Sequence, residues 1–423
     1  MIKDKYKFTR ILYIFEAAFE YFISILVGGA YFARLTTELG LSDSITGILS
    51  SLAALGSGLQ IFAIFFWGNK RAKPSVSILH TVNQLCFTLI YAVPFIEISK
   101  EIKIVIFIAL LMSGRIINNL VQSPKINWFM SVVDDSKRGR FTANKEIISL
   151  IGGMIFSFVM GNIMDSYEAK GDVKSSFIIC GITLFVLTVL HSITLFASSE
   201  KDPLGGKNIS KRGLLSELIK DTSFLKIILV SVLWNIAHNV TTPFLGTYQV
   251  KELGFSMVYV SIISAAYSIC RALFSRPLGK FADKHSFAKM LNICFTAALV
   301  GFAVNVFTVP SNGKVFYVIY YMLYAVGMAG INSGGINLIY ERVGKEKRVC
   351  ALALKNSIAG IAGFLTTLAT SVLVERIQDN GNRLFGISVY AQQVTSAISV
   401  IIIALIIVYL NTVVRKMSIV KND

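Results

Sequence analysis

The chain has 423 residues, of which 54% are apolar and only 15% are charged, and its mean hydropathy is +0.65. Soluble globular domains carry about 25% charged residues, so this composition excludes an ordinary soluble domain and indicates an integral membrane protein. In a soluble chain, the net charge of +17 would suggest a nucleic-acid partner. Here the basic residues cluster at the ends of apolar stretches, which indicates a membrane topology instead.

Twelve stretches are long and apolar enough to cross a bilayer, whose hydrocarbon core of about 30 Å requires around 20 residues of helix. In chain order they lie near residues 11–33, 45–67, 76–96, 104–129, 146–165, 176–198, 223–248, 257–278, 290–309, 315–340, 351–374 and 388–413. Almost no chain is left over for a soluble domain. The sequence therefore predicts an all-α membrane protein with twelve transmembrane helices.

The distribution of basic residues predicts the orientation. With an even number of spans and the N-terminus inside, 28 of the 41 basic residues fall at cytoplasmic ends, nine fall outside and four lie within spans. Cytoplasmic loops of membrane proteins carry such an excess of Lys and Arg. We therefore expect a multi-pass protein of the cell (plasma) membrane, with both termini cytoplasmic and no nucleic-acid partner.

An internal repeat divides the spans into two sets of six. The sequence ELGLS at 38–42 returns as ELGFS at 252–256, and KRGRFTANK at 137–145 matches KRVCALALK at 347–355. The two offsets, 214 and 210 residues, nearly agree. We predict an N-terminal half (1–198), a cytoplasmic linker (199–222) and a C-terminal half (223–423). Parallel repeats of this kind are a transporter architecture, with the substrate site near the midplane between the halves.

Two motifs resemble those of the major facilitator superfamily, and the resemblance covers essentially the whole chain. Gly279, Asp283 and Lys284, in the sequence GKFADK after the eighth span, are similar to the family's GxxxD(R/K) loop motif. Arg115, in the fourth span, resembles the arginine of the family's fourth-helix motif. The first-half copy of the loop motif departs from the pattern, since Asn69 stands in place of its acid. The resemblance implies a transporter that works by alternating access.

The resemblance also implies a cytoplasmic latch, in which the loop acid packs against the start of a helix in the opposite half. For Asp283 this predicts a contact near Arg138 and Arg140, at the start of the fifth span. Asn69, against the eleventh span, is expected to be the weaker latch because it lacks the negative charge that a helix N-terminus favours.

The first span carries two acids, Glu16 and Glu20, one helical turn apart. Ionisable groups facing lipid at mid-bilayer cost at least a few kcal/mol, so those present usually face a cavity or a partner. At 1.5 Å per residue, Glu20 lies roughly 15 Å deep and Arg115 lies at a similar depth. We therefore predict a contact between Glu20 and Arg115. In this hypothesis Glu20 is the principal proton site, Arg115 sets its affinity and Glu16 is auxiliary. A static ion pair is the alternative.

Polar side chains at helical spacing indicate a wet cavity. An amide stripe follows Arg115 in the fourth span, and further polar groups lie in the seventh, eighth and tenth spans. Amides can instead bridge helices as hydrogen-bond partners, and a lone histidine is often structural. The predicted substrate-binding residues are Arg115, Asn118, Asn119, Gln122, Trp234, Asn235, His238, Asn239, Arg271 and Asn332.

These patterns predict a secondary transporter that takes up a small polar or anionic organic solute by proton symport. No metal motif, phosphate-binding glycine loop or nucleophile with its base is found in the sequence, so we expect no enzymatic activity and no cofactor. Proton-coupled multidrug efflux is the first alternative, although the fifth span lacks the glycine-proline motif typical of such antiporters. A membrane sensor or scaffold without transport is the second. The expected partners are the lipid bilayer, the solute and protons, and the expected state is a monomer.

Overall fold

The computed structural model describes residues 5–62, 71–133, 138–201, 211–344 and 347–417. Nearly all of these residues are helical. The helices are α1 (Lys7–Leu26), α2 (Gly29–Glu38), α3 (Asp43–Ser50), α4 (Leu52–Gly58), α5 (Lys73–Leu89), α6 (Lys100–Ser131), α7 (Arg138–Ala169), α8 (Val173–Ala197), α9 (Lys211–Lys220), α10 (Thr222–Thr241), α11 (Met257–Lys284), α12 (Phe287–Val306), α13 (Gly313–Tyr340), α14 (Arg348–Asp379) and α15 (Ala391–Thr412).

The remaining elements are short. A two-stranded antiparallel hairpin pairs β1 (Arg383–Leu384) with β2 (Ile387–Ser388). A single α-turn, Leu245–Thr247, leads into a π-helical turn, Tyr248–Glu252. Single 3₁₀ turns lie at Val93–Phe95, Thr242–Phe244 and Val414–Lys416.

The helices have the length and apolar surface of membrane spans. Among the described residues, ten helical segments qualify, and α1 with α2 adds an eleventh if this bent pair is one span. Each of the twelve predicted stretches overlaps at least one helix among the described residues. The second stretch overlaps two short helices, α3 and α4, of 8 and 7 residues. Large apolar side chains such as Val105, Leu273 and Val372 are exposed, as expected for surfaces that face lipid. The predicted all-α membrane fold is confirmed.

The first span is broken between α1 and α2, which meet at an angle of 46°. Gly28 is extended, and Gly29 has a φ of +54°, a left-handed conformation that glycine adopts without steric cost. The backbone carbonyl of Val27 accepts a hydrogen bond from Arg115 Nη2 at 2.8 Å. A side chain of α6 therefore satisfies a carbonyl at the break.

The chain forms two compact units. The first contains residues 1–42, 62–207 and 255–262, and the second contains 43–61, 208–254 and 263–423. Helices α3 and α4 thus group with the second unit, and the first residues of α11 with the first. The sequence-based boundaries of the two halves, at 198 and 223, stay a prediction.

In the first unit, α1 packs against α7 and α8. The ring of Tyr13 stacks on Phe129 at 4.3 Å between centroids, and Trp128 stacks on the same ring at 4.5 Å. These aromatic side chains are buried. They hold the N-terminal part of α1 against the C-terminal end of α6, one turn away from Glu16.

The predicted loop motif lies on a helix. We expected Gly279, Asp283 and Lys284 in a loop after a span ending near 278, but α11 continues to Lys284. This stretch contains no proline after Pro277, so nothing in it prevents helical hydrogen bonding. The break comes at Ser286, whose hydroxyl accepts a hydrogen bond from the backbone N–H of Lys289 and caps α12.

Candidate proton and substrate sites

The two acids of α1 lie inside the first unit. Glu16 has no exposed surface, and the side chain of Glu20 is 20% exposed. They are four residues apart and therefore share one face of the helix. That face meets α6 and α8, and Glu20 is the more exposed member of the pair.

Lys125 of α6 binds both acids. Its Nζ lies 2.8 Å from Glu16 Oε1 and 2.6 Å from Glu20 Oε2. The lysine side chain is only 2% exposed. Each contact is a charge-assisted hydrogen bond, the stronger class of hydrogen bond in proteins.

The predicted contact between Glu20 and Arg115 is wrong. Lys125 takes that place, ten residues further along α6. The guanidinium of Arg115 instead donates to Val27 and lies 5.1 Å over the ring of Phe87. A shift of ten residues is roughly 15 Å along a helix, and a depth estimate made from span boundaries does not resolve that distance.

Two histidines complete the cluster. His80 Nε2, on α5, lies 3.0 Å from Lys125 Nζ and 3.4 Å from Glu20 Oε1. His191 Nε2, on α8, lies 3.1 Å from Glu16 Oε1. Both imidazoles are fully buried, and their ring centroids are 4.7 Å apart. We call Glu16, Glu20, His80, Lys125 and His191 the buried ionic cluster.

The donor atoms of Glu16, His80 and His191 lie within 4.8 Å of one another, a spacing that a metal ion can also use. In this structure the ammonium of Lys125 lies between the same groups, at 2.8 Å from the carboxylate and 3.0 Å from His80. A tethered cation therefore satisfies Glu16 and His80, and His191 Nε2 is paired with Glu16. We assign them to the ionic cluster and not to a metal site.

Sequence reasoning missed Lys125, His80 and His191, although each lies within a predicted span. A signal for Lys125 was present, because it follows Asn118 by seven residues and Gln122 by three and so extends the same helical stripe. The two histidines carry no such signal. Only the packing of α5 and α8 against α1 and α6 brings them to the acids.

The amide stripe of α6 has unsatisfied acceptors. Asn119 donates to the backbone carbonyl of Arg115 at 2.9 Å. The side-chain oxygens of Asn118 and Gln122, and Nε of Arg115, are buried without a hydrogen-bond partner among the described residues. Arg115 likewise has no acidic partner within that part of the chain, since the acids of α1 bind Lys125.

The predicted polar residues of α10 lie in the second unit. The ring of Trp234 lies 5.6 Å from that of His238, whose Nδ1 is hydrogen bonded to the hydroxyl of Tyr324 at 2.7 Å. Asn235 donates to Ser231. Asn239 is buried and donates to the carbonyl of Asn235, so both amides have partners along their own helix.

Arg271 and Asn332 are exposed, on α11 and α13 respectively. Near them is a tyrosine cluster that sequence reasoning did not single out. The rings of Tyr267 and Tyr321 stack at 4.6 Å, and Tyr321 lies 6.4 Å from Tyr324. Through the hydrogen bond between Tyr324 and His238, the tyrosine cluster connects α10 to α11 and α13.

The predicted latch motif lies at the C-terminal end of α11. Asp283 and Lys284 are exposed at the end of α11, and Gly279 has open space where a Cβ would lie. Asn69 lies outside the described residues, as do the side chains of Arg138 and Arg140. The latch stays a prediction.

Comparison with known proteins identifies the fold. A sequence profile of the Major Facilitator Superfamily matches residues 13–367. A search of curated proteins gives no match. Among solved structures, nucleoside transporter NupG is 15% identical, with a TM-score of 0.70 and with 97% of this chain and 99% of that chain covered.

Two further structures are similar over nearly their whole length. A D-xylose-proton symporter is 13% identical, with a TM-score of 0.68 and coverage of 95% of this chain and 97% of that chain. The POT family transporter PepTSo is 12% identical, with a TM-score of 0.67 and coverage of 97% and 99%. At these identities the likeness shows the fold alone.

Proposed function

Because the chain belongs to the major facilitator superfamily, we propose that it is a proton-coupled secondary transporter that takes up a small polar or anionic organic solute. The observation that carries the proposal is the buried ionic cluster. Buried ionisable groups within membrane spans are costly and typically mark ion pathways or proton relays. Five such groups from α1, α5, α6 and α8 meet in one unit of this chain.

The proposed proton sites are Glu20 and Glu16. Glu20 is the principal site because it is the more exposed acid and can exchange protons with water. Lys125 takes the role that we first gave to Arg115, since its ammonium contacts both carboxylates and sets their affinity for a proton. Glu16, which is fully buried, is auxiliary.

The proposed substrate residues lie on two surfaces. Arg115, Asn118 and Gln122 offer a cation and amide oxygens that lack partners among the described residues. On α10, α11 and α13 the proposed contacts are Trp234, Asn235, His238, Asn239, Arg271 and Asn332. An arginine without a protein carboxylate favours an anionic group on the substrate, because a carboxylate or phosphate can bind a guanidinium in bidentate fashion.

Alternating access of two six-helix halves in the plasma membrane, with both termini cytoplasmic, completes the proposal. The Gly279, Asp283 and Lys284 motif would act as the main cytoplasmic latch and Asn69 as the weaker one. Proton-coupled efflux of apolar drugs fits less well, since fixed amides and a buried arginine are unnecessary for such substrates. A sensor or scaffold would not need a proton site.

Transport by purified protein in proteoliposomes tests the proposal. Amino acids, sugars, nucleosides and small carboxylates are added outside, and internal pH is followed with a trapped dye. A symporter acidifies the interior when its solute enters, an antiporter alkalises it, and a scaffold changes nothing.

Glu20→Gln should abolish accumulation against a gradient and retain solute exchange. Glu101→Gln, which alters an exposed acid at the start of α6, is the matched control. Normal gradient-driven accumulation by a folded Glu20→Gln protein would contradict the assignment.

A further inference from the structure

The two histidines of the buried ionic cluster are not equivalent, because their hydrogen-bond partners differ. His80 Nε2 lies 3.0 Å from the ammonium of Lys125. An ammonium can only donate, and the second neighbour of Nε2, Glu20 Oε1, lies further away at 3.4 Å. We therefore take the shorter contact as the hydrogen bond, which makes Nε2 an acceptor and places the proton of a neutral His80 on Nδ1. His80 is thereby fixed as one tautomer and has no free lone pair on Nε2 for a second proton.

Gln84 is compatible with this tautomer when its side-chain amide is assigned with the oxygen toward the ring. Its side-chain amide lies 3.4 Å from His80 Nδ1, and its other amide atom is buried without a partner among the described residues. The oxygen and nitrogen of an amide are assigned from the hydrogen-bond network, so either may face the ring. With the oxygen toward His80, the Nδ1–H of the imidazole donates to Gln84, and His80 has partners at both nitrogens.

His191 has the opposite arrangement. Its Nε2 lies 3.1 Å from Glu16 Oε1, and an ionised carboxylate only accepts, so Nε2 carries a hydrogen. Its Nδ1 is buried and has no partner among the described residues. This nitrogen is therefore the basic atom of the cluster that retains an unused lone pair.

The charge of the cluster favours one additional proton. Two carboxylates, one ammonium and two neutral imidazoles sum to −1, and an unbalanced charge in a buried site is costly. Within the part of the chain that the structure describes, Tyr13 of α1 also faces the cluster. Lys145 of α7 lies beyond it, with its Nζ 3.5 Å from the Tyr13 hydroxyl. One proton bound within the cluster brings its sum to zero.

We propose that the buried ionic cluster binds one proton at Nδ1 of His191, while His80 remains a neutral acceptor for Lys125. Protonation converts the contact between His191 and Glu16 into an ion pair with a charge-assisted hydrogen bond, and so strengthens the attachment of α8 to α1. In transport, Glu20 is the acid that exchanges this proton with water and His191 is where the same proton resides at rest; that role rests on the proposed function. The binding of the proton does not, and it is measured without a substrate.

Histidine-selective ¹⁵N labelling tests the proposal on the full-length protein in lipid nanodiscs, because the chain has only four histidines. Signals are assigned with His80→Asn and His191→Asn, and the exposed ring of His285 is the internal reference. Between pH 8 and pH 5, His191 should pass from the neutral Nε2–H form to the doubly protonated form. His80 should keep the Nδ1–H tautomer throughout. A His191 that stays neutral, or an Nε2–H tautomer of His80, would overturn the proposal.

Glu16→Gln provides a second measurement. It removes one negative charge, so the cluster is neutral without the extra proton, and His191 should stay neutral at the pH where it is protonated in the wild type. Glu101→Gln should leave the His191 signal unchanged, and an equal effect of the two variants would contradict the charge argument. If His191 titrates as expected in a protein that moves no protons, the proposed function fails and this inference stands.

Discussion

The ammonium of Lys125 and the carboxylate of Glu16 lie 2.8 Å apart in a site closed to solvent, although 109 residues separate them in the chain. A buried ion pair contributes little net stability when intact, yet removing one partner leaves an uncompensated charge. The cost of a substitution in the buried ionic cluster therefore depends on the charge that remains.

Lys125→Met should be the most damaging substitution in the cluster. It leaves two carboxylates without their cation, and loss of one partner of a buried pair costs about 3–5 kcal/mol. Glu16→Gln leaves Glu20 and Lys125 as a balanced pair and should cost much less. Thermal unfolding in one detergent compares the two variants. A larger loss of stability in Glu16→Gln than in Lys125→Met would contradict the charge count.

Arg115 should determine the preference for anionic solutes. Hydrogen bonds to charged groups contribute about 1.5–3 kcal/mol, so Arg115→Gln should weaken binding of an anionic substrate roughly 10-fold to 150-fold. Arg115→Lys should fall between this variant and the wild type, because it keeps the charge and loses the planar fork. The measurement is the affinity for whichever carboxylate the transport assay identifies.

Arg276→Gln is the matched control for that experiment, since Arg276 is exposed on α11. Binding of a neutral substrate analogue should be similar in all three Arg115 proteins. If Arg115→Gln bound the anion as tightly as the wild type does, the guanidinium would serve only the backbone carbonyl of Val27.

The sequence predicted the fold better than the site, for a physical reason. Membrane spans are long apolar stretches and are visible in the sequence, and each of the twelve predicted stretches overlaps a helix among the described residues. The acids Glu16 and Glu20 were also visible, because charge is rare in such stretches. Their partner was not, since the choice between Arg115 and Lys125 depends on how far α6 extends past α1. Span boundaries read from composition do not resolve this distance.

Asp165 should be needed for the start of α11. Its two carboxylate oxygens accept hydrogen bonds from the backbone N–H groups of Met257 and Val258, each at 2.8 Å. Loss of a capping side chain costs about 0.5–2 kcal/mol. We expect Asp165→Ala to lower the unfolding temperature and Asp165→Asn to lower it less, since an amide oxygen retains one acceptor. Equal stability of Asp165→Ala and the wild type would show that water replaces the cap.

Gly360 should tolerate no side chain. A Cβ at this position of α14 would collide with the backbone carbonyl of Ala54 and the hydroxyl of Ser57 on α4. Backbone cannot rotate away, and overpacking costs about 1–3 kcal/mol. Gly360→Ala should therefore reduce thermal stability. Gly335→Ala is the control, because the nearest neighbour of its Cβ would be Lys355 Nζ at 3.9 Å. Similar losses in both variants would point to backbone effects of alanine and not to the contact.

The break between α1 and α2 separates two tasks that one continuous helix would combine. Glu16 and Glu20 both lie before the break, on α1, while α2 begins after Gly28. If α1 and α2 formed one rigid helix, a tilt of its C-terminal end would move the carboxylates away from Lys125. The glycine joint allows α2 to change direction while α1 keeps its register against α6 and α8. Movement of one end of the span and preservation of the carboxylate contacts at the other can thus occur independently.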